Sequence, residues 1–70
     1  MMQQLILQPG TRVQLKSDPM GETYKEGIVR CWIKPCEEDP QGYWSIDFER
    51  TDDYRSENLW LLEEEVFIPA

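Results

Sequence analysis

Gly42-Tyr43-Trp44-Ser45-Ile46-Asp47-Phe48-Glu49 decides the fold. Trp44, Ile46 and Phe48 alternate with Tyr43, Ser45, Asp47 and Glu49, so the two sets stand on opposite sides of an extended backbone. Strict alternation of this kind describes a strand with one face buried and the other wet. Immediately upstream, Pro35-Cys36-Glu37-Glu38-Asp39-Pro40-Gln41 holds two prolines and three consecutive acids, which a sheet interior does not accept. That stretch reads as a hairpin loop, and the strand before it therefore runs antiparallel to the central one.

The preceding strand spans Ile28 to Ile33, led in by Tyr24-Lys25-Glu26-Gly27, where Gly27 marks a bulge or tight bend. Alternation places Val29, Cys31 and Ile33 on one face and Ile28, Arg30, Trp32 and Lys34 on the other. The β-branched Val29 and Ile33 assign the first face inward, leaving Trp32 outward or folded over the end of the sheet. Upstream, the Pro9-Gly10 turn introduces a strand over residues 11 to 16, with Val13 and Leu15 inward. Ser17-Asp18-Pro19-Met20-Gly21-Glu22 is loop by composition. Downstream, residues 50 to 55 form a polar turn, and Glu57 to Leu61 a fourth strand with Leu59 and Leu61 inward and Trp60 outward. Leu62 to Glu65 forms a short 3-10 or helical turn, and Val66-Phe67-Ile68 a last strand stopped by Pro69. Residues 1 to 8, carrying Leu5-Ile6-Leu7, form an edge strand or a lead-in.

Five short strands without an amphipathic helix describe an all-β fold: a small five-stranded barrel, one closed and curled sheet, with a 3-10 turn before the last strand. Seventy residues make one domain, here residues 9 to 70. A chain this short buries only about 60 % of its unfolded surface, so each large apolar side chain matters. The mean hydropathy is −0.63 and the longest apolar run, Leu59 to Leu62, is far short of a membrane span. Met1-Met2-Gln3-Gln4 lacks the positive start of a signal peptide, so a cytoplasmic protein is expected. Cys31 and Cys36 read as reduced thiols. With no His and no Cys-x-x-Cys spacing, they imply neither a zinc site nor a redox pair. No cofactor is expected.

In order along the chain, Pro9-Gly10-Thr11-Arg12-Val13-Gln14-Leu15, Asp18-Pro19, Gly27-Ile28-Val29, Gly42-Tyr43-Trp44-Ser45-Ile46-Asp47-Phe48 and the acidic turn before the last strand resemble the SH3-like small barrels in their Tudor and KOW-type variants. The pattern is similar to barrels attached to bacterial helicases and defence translocases, and to accessory subunits of photosynthetic electron-transfer complexes. It covers roughly residues 9 to 68, and its glycines and core apolars speak to fold more than to function. KOW-type barrels usually carry basic loops, whereas Glu37-Glu38-Asp39 is acidic here.

Fourteen acidic against seven basic residues give a net charge of −7. That balance opposes direct binding to nucleic-acid phosphates, which depends on Lys and Arg. Two sets of residues are candidates for partner binding. The first is the aromatic set Tyr24, Trp32, Tyr43, Tyr54 and Trp60, expected to point away from the core, with Trp32 and Tyr43 paired across neighbouring strands. Tudor-type barrels resemble such a set when they cage a methylated cation; Asp47 and Glu49 would supply the carboxylate. Aromatics that simply cover the open ends of a small barrel are the plainer reading. The second set is acidic: Glu37, Glu38 and Asp39, then Asp52-Asp53, then Glu63-Glu64-Glu65, against the plainer reading of a solvated surface. No nucleophile setting, His or phosphate cradle is present, so no catalytic residue is assigned and an enzyme is not expected. The expectation is a non-enzymatic interaction module or accessory subunit. It would dock a larger, basic protein, such as a helicase, nuclease or electron-transfer complex, through exposed aromatics and acidic loops. The alternative is a phage-encoded acidic inhibitor that imitates nucleic acid and blocks a DNA- or RNA-binding protein.

Overall fold

The computed structural model describes residues 7 to 53 and 55 to 69. Five strands form in chain order: β1 (Arg12–Leu15), β2 (Tyr24–Ile33), β3 (Tyr43–Arg50), β4 (Ser56–Leu61) and β5 (Val66–Phe67), with a 3-10 turn at Glu63–Glu65 before the last. They make one antiparallel sheet in the order β4-β3-β2-β1-β5. The all-β class, the central strand and the late 3-10 turn agree with the sequence reading. Among the described residues no helix is long and apolar enough to cross a membrane. The expected edge strand or lead-in at the start falls, for residues 1 to 6, outside the described residues. Leu7 is buried in the core.

The expected closure into a barrel does not occur. β4 and β5 are the two edges of the sheet and do not pair. β5 has only two residues, paired to Gln14 and Leu15 of β1, and Pro69 follows closely. Proline cannot donate to a ladder, so β5 is too short to hold a second neighbour. The sheet curls instead around Val13, Leu15, Val29, Ile46, Phe48, Val66 and Leu7, with Tyr24, Trp44, Leu59 and Leu61 packed partly buried against them. Full burial of each such side chain stabilises by roughly 1.5–3 kcal/mol.

Two irregularities of β2 set which side chains face which way. Gly27 lies opposite Phe48, and a Cβ there would sit 2.6 Å from the Phe48 ring and 2.8 Å from Ile46. Only glycine lets the backbone pass over that ring. Further on, Val29 pairs with Ile46 and Cys31 with Ser45, so β2 advances two residues while β3 advances one. Arg30 is thus the extra residue of a β-bulge, and the alternation of β2 reverses after it.

Candidate functional site

The bulge at Arg30 overturns the expected placement of Trp32. After it, Trp32 pairs with Trp44 and Ile33 with Tyr43, so Trp32 lies on the core side and Ile33 on the outer side. The Trp32 and Trp44 rings are tilted at 57° with centroids 5.1 Å apart. The Trp32 indole also leans on the backbone of Gly42, where any Cβ would run into its ring. Trp32 therefore caps the end of the core, although 45 % exposed, and does not form a pair with Tyr43. Cys31, expected inward, is exposed.

The outer face of β2, β3 and β4 keeps two of the expected aromatics together. Trp60 stands opposite Ser45, and Tyr43 lies two residues along β3 on the same side. Diagonal neighbours in such a ladder are roughly 7–8 Å apart. Trp60 is 57 % exposed. Its Nε1 donates to Asn58 Oδ1 at 3.1 Å, and Asn58 Nδ2 donates to Ser45 Oγ at 2.8 Å and Asp47 Oδ1 at 2.7 Å. This chain holds the indole in place over Ser45, which is buried despite its outward position. A pre-ordered aromatic loses little freedom when it binds.

Two acidic segments contribute charge that acts on Tyr43. In the β2–β3 loop, Cys36 and Asp39 exchange backbone hydrogen bonds of 2.8 and 3.1 Å, and Asp39 Oδ1 accepts from Gln41 N–H. In the 3-10 turn, the Glu65 carboxylate accepts from Leu62 N–H at 2.6 Å, half of a capping box. The Glu65 carbonyl accepts from Lys16 N–H at 3.0 Å, which ties the turn to the end of β1. The negative charge of Asp39, then burial, with Glu65 adding, hold the Tyr43 hydroxyl pKa above its ordinary value of 10. Among the described residues, neither Asp39 nor Glu65 is in a salt bridge. The expected carboxylates of the cage reading are engaged elsewhere: Asp47 with Arg30 at 3.4 Å and Glu49 with Lys25 at 3.8 Å.

The opposite end of the sheet holds similar groups in a different arrangement. Tyr24, expected to face outward, lies on the core side, its ring 5.7 Å from that of Phe48. Its hydroxyl donates to Glu57, the first cause of a raised pKa. Arg50 stands over the Tyr24 ring at 5.7 Å, reaches Glu57 at 3.8 Å and binds Asp52 through two N–H groups at 3.0 and 3.1 Å. The fork geometry of the guanidinium suits this bidentate contact. The loop leading into Tyr24 is tied by Asp18, whose carboxylate accepts from the backbone N–H of Glu22, Thr23 and Tyr24, each at 3.0 Å. Those three bonds, Tyr24 first, lower the Asp18 pKa below 3.8. Beside this end, Arg50, Asp52, Asp53, Arg55, Ser56 and Glu57 line a shallow polar depression.

The candidate residues thus separate. Tyr43, Trp60 and Asp39 gather at one end of the outer face, with Asp47 further along it. Glu37 and Glu38 are exposed in the adjoining loop. Trp32 and Tyr24 belong to the two ends of the core, and Tyr54 lies outside the described residues. Glu65, whose charge also acts on the Tyr43 hydroxyl, is the participant that strand alternation could not locate, because it lies in a 3-10 turn. Comparison with known proteins adds no further assignment: no family model, characterised protein or solved structure matches the chain.

Proposed function

We propose that the protein is a non-enzymatic interaction module, an accessory subunit that docks a larger basic partner at the Tyr43 end of its outer face. The carrying observation is that Tyr43 and the exposed Trp60 stand as diagonal neighbours on the outer face, with the charges of Asp39 and Glu65 acting on the Tyr43 hydroxyl and neither acid in a salt bridge among the described residues. A guanidinium or ammonium from a partner gains both charge attraction and a π-face there. Trp and Tyr are also the residues most often found as binding anchors. The strand order β4-β3-β2-β1-β5 with its 3-10 turn supports kinship with SH3-like barrels, left open along one side. Two free thiols fit a reducing, cytoplasmic setting.

The alternative, a nucleic-acid mimic, has less support. Asp47, Glu49, Asp52, Asp53 and Glu57 are all engaged by Lys or Arg, which breaks up the row of free carboxylates that imitation of phosphates requires. Affinity capture from the native source with wild type, Trp60→Ala and Tyr43→Ala distinguishes the readings. A basic protein retained by wild type and lost from both variants, with Met20→Ala behaving as wild type, supports docking at this face. Capture indifferent to Trp60 and Tyr43, or competed away by DNA, contradicts it.

A further inference from the structure

We propose that the edge of β4, unpaired among the described residues, accepts an extended, basic strand of the partner, adding a sixth strand to the sheet. The two edges are unlike. β5 is two residues long and soon followed by Pro69, whereas β4 runs six residues, Ser56-Glu57-Asn58-Leu59-Trp60-Leu61, in unbroken register with β3. Natural edges are usually blunted by Lys, Pro, bulges or shortness. β4 has no Lys, Pro or bulge, its one charged residue, Glu57, faces the core side and is engaged by Tyr24 and Arg50, and among the described residues no strand covers it. Alternate backbone groups of an antiparallel edge strand point away from its one neighbour and remain available to another strand.

The side chains along this edge suit an added strand on both faces. Leu59 and Leu61 are only partly buried on the core side, at the seam where the sheet fails to close, and Trp60 stands on the outer side. An added strand would place alternate side chains against these two surfaces, as strand-addition partners do. Charge selects the occupant. β4 contains no Lys or Arg, Glu63 and Glu64 are exposed just beyond it, and the chain carries −7, so a second copy is repelled and a Lys- or Arg-bearing strand attracted. The inference rests on the docking reading above only for the partner's charge.

The test is backbone amide exchange by NMR on the full chain at low salt. The probe is a capped synthetic peptide alternating lysine and valine, compared with a glutamate–valine peptide of equal length and a backbone N-methylated lysine–valine peptide. The lysine–valine peptide should slow exchange of alternate β4 amides by at least roughly tenfold, an effect reversed by added salt. Neither comparison peptide should do so. Equal protection by the glutamate peptide, β4 amides already protected in the free monomer, or no protection at all overturns the proposal. Concentration-dependent protection without peptide, with a dimer in sedimentation, assigns the edge to a second copy and also overturns it. Shifts confined to Tyr43, Asp39 and Glu65 overturn the edge proposal while leaving the docking face standing.

Discussion

The two ends of the sheet use the same ingredients to opposite effect. At one, Tyr24 and Glu57 meet Arg50, which lies on the tyrosine ring and binds the carboxylates around it. At the other, the charges of Asp39 and Glu65 act on the Tyr43 hydroxyl, and among the described residues no Lys or Arg pairs with them. An aromatic with its carboxylates neutralised from within closes off a core. The same pair left without a cation is the surface that the proposed docking assigns to a partner's cation. Position in the chain follows this division: the Tyr24 end is tied by the Asp18 loop, and the Tyr43 end adjoins a hairpin loop rich in acids.

The largest test of the comparison is stability. Phe48, 1 % exposed, supports Tyr24, and Phe48→Ala should cost about 3–5 kcal/mol in urea unfolding. Trp60→Ala at the other end should change stability by no more than about 0.5 kcal/mol while costing about 2 kcal/mol or more in partner affinity. A large loss of stability from Trp60→Ala would erase the distinction between the ends.

Next comes Asp18. Its folded pKa is lowered, so its contribution is present above the unfolded value of 3.8 and is lost as pH falls below that value through the folded pKa. Asp18→Asn should lower the melting temperature at pH 7 and flatten the wild-type loss of stability over that acidic window. A variant melting like wild type at pH 7 would show that the three backbone bonds add nothing to the Tyr24 end.

A smaller effect is expected from supplying the Tyr43 end with its own cation. Gln41 is exposed beside Asp39, and Gln41→Arg should weaken capture of a basic partner roughly fivefold with the fold unchanged. Unchanged or tighter capture would argue against a cation-accepting site. The smallest effect is spectroscopic. Ultraviolet titration should show Tyr43 ionising above pH 10, moving back toward 10 in Asp39→Asn and unaffected in Glu57→Gln, which should act on Tyr24 instead.

Periodicity alone locates the central strand, the inward Val13, Leu15, Val29, Ile46 and Phe48, and the outward Trp60 and Tyr43, because each is a matter of odd or even position. It fails where one residue is inserted without a signature. The bulge at Arg30 reverses Cys31, Trp32 and Ile33, and the register shift between Tyr24 and Gly27 accompanies the inward turn of Tyr24. Closure of the barrel is beyond its reach too, since the hydrophobic pattern of β5 does not reveal that two residues shortly before Pro69 are too few to bridge to β4. The site is half legible. Tyr43, Trp60 and Asp39 stand out by type and position, but the influence of Glu65 on Tyr43 depends on the three-dimensional path of a 3-10 turn. Asp18 is readable as loop composition, and its three backbone partners are not.

The most direct test of the central claim is NMR shift mapping with a capped, flexible arginine–glycine peptide. Saturable shifts should centre on Tyr43, Asp39, Glu65 and the Trp60 indole, and should vanish in the Asp39→Asn, Glu65→Gln double variant. Shifts centred instead on Asp52, Asp53 and Glu57, or persisting in the double variant, would contradict it.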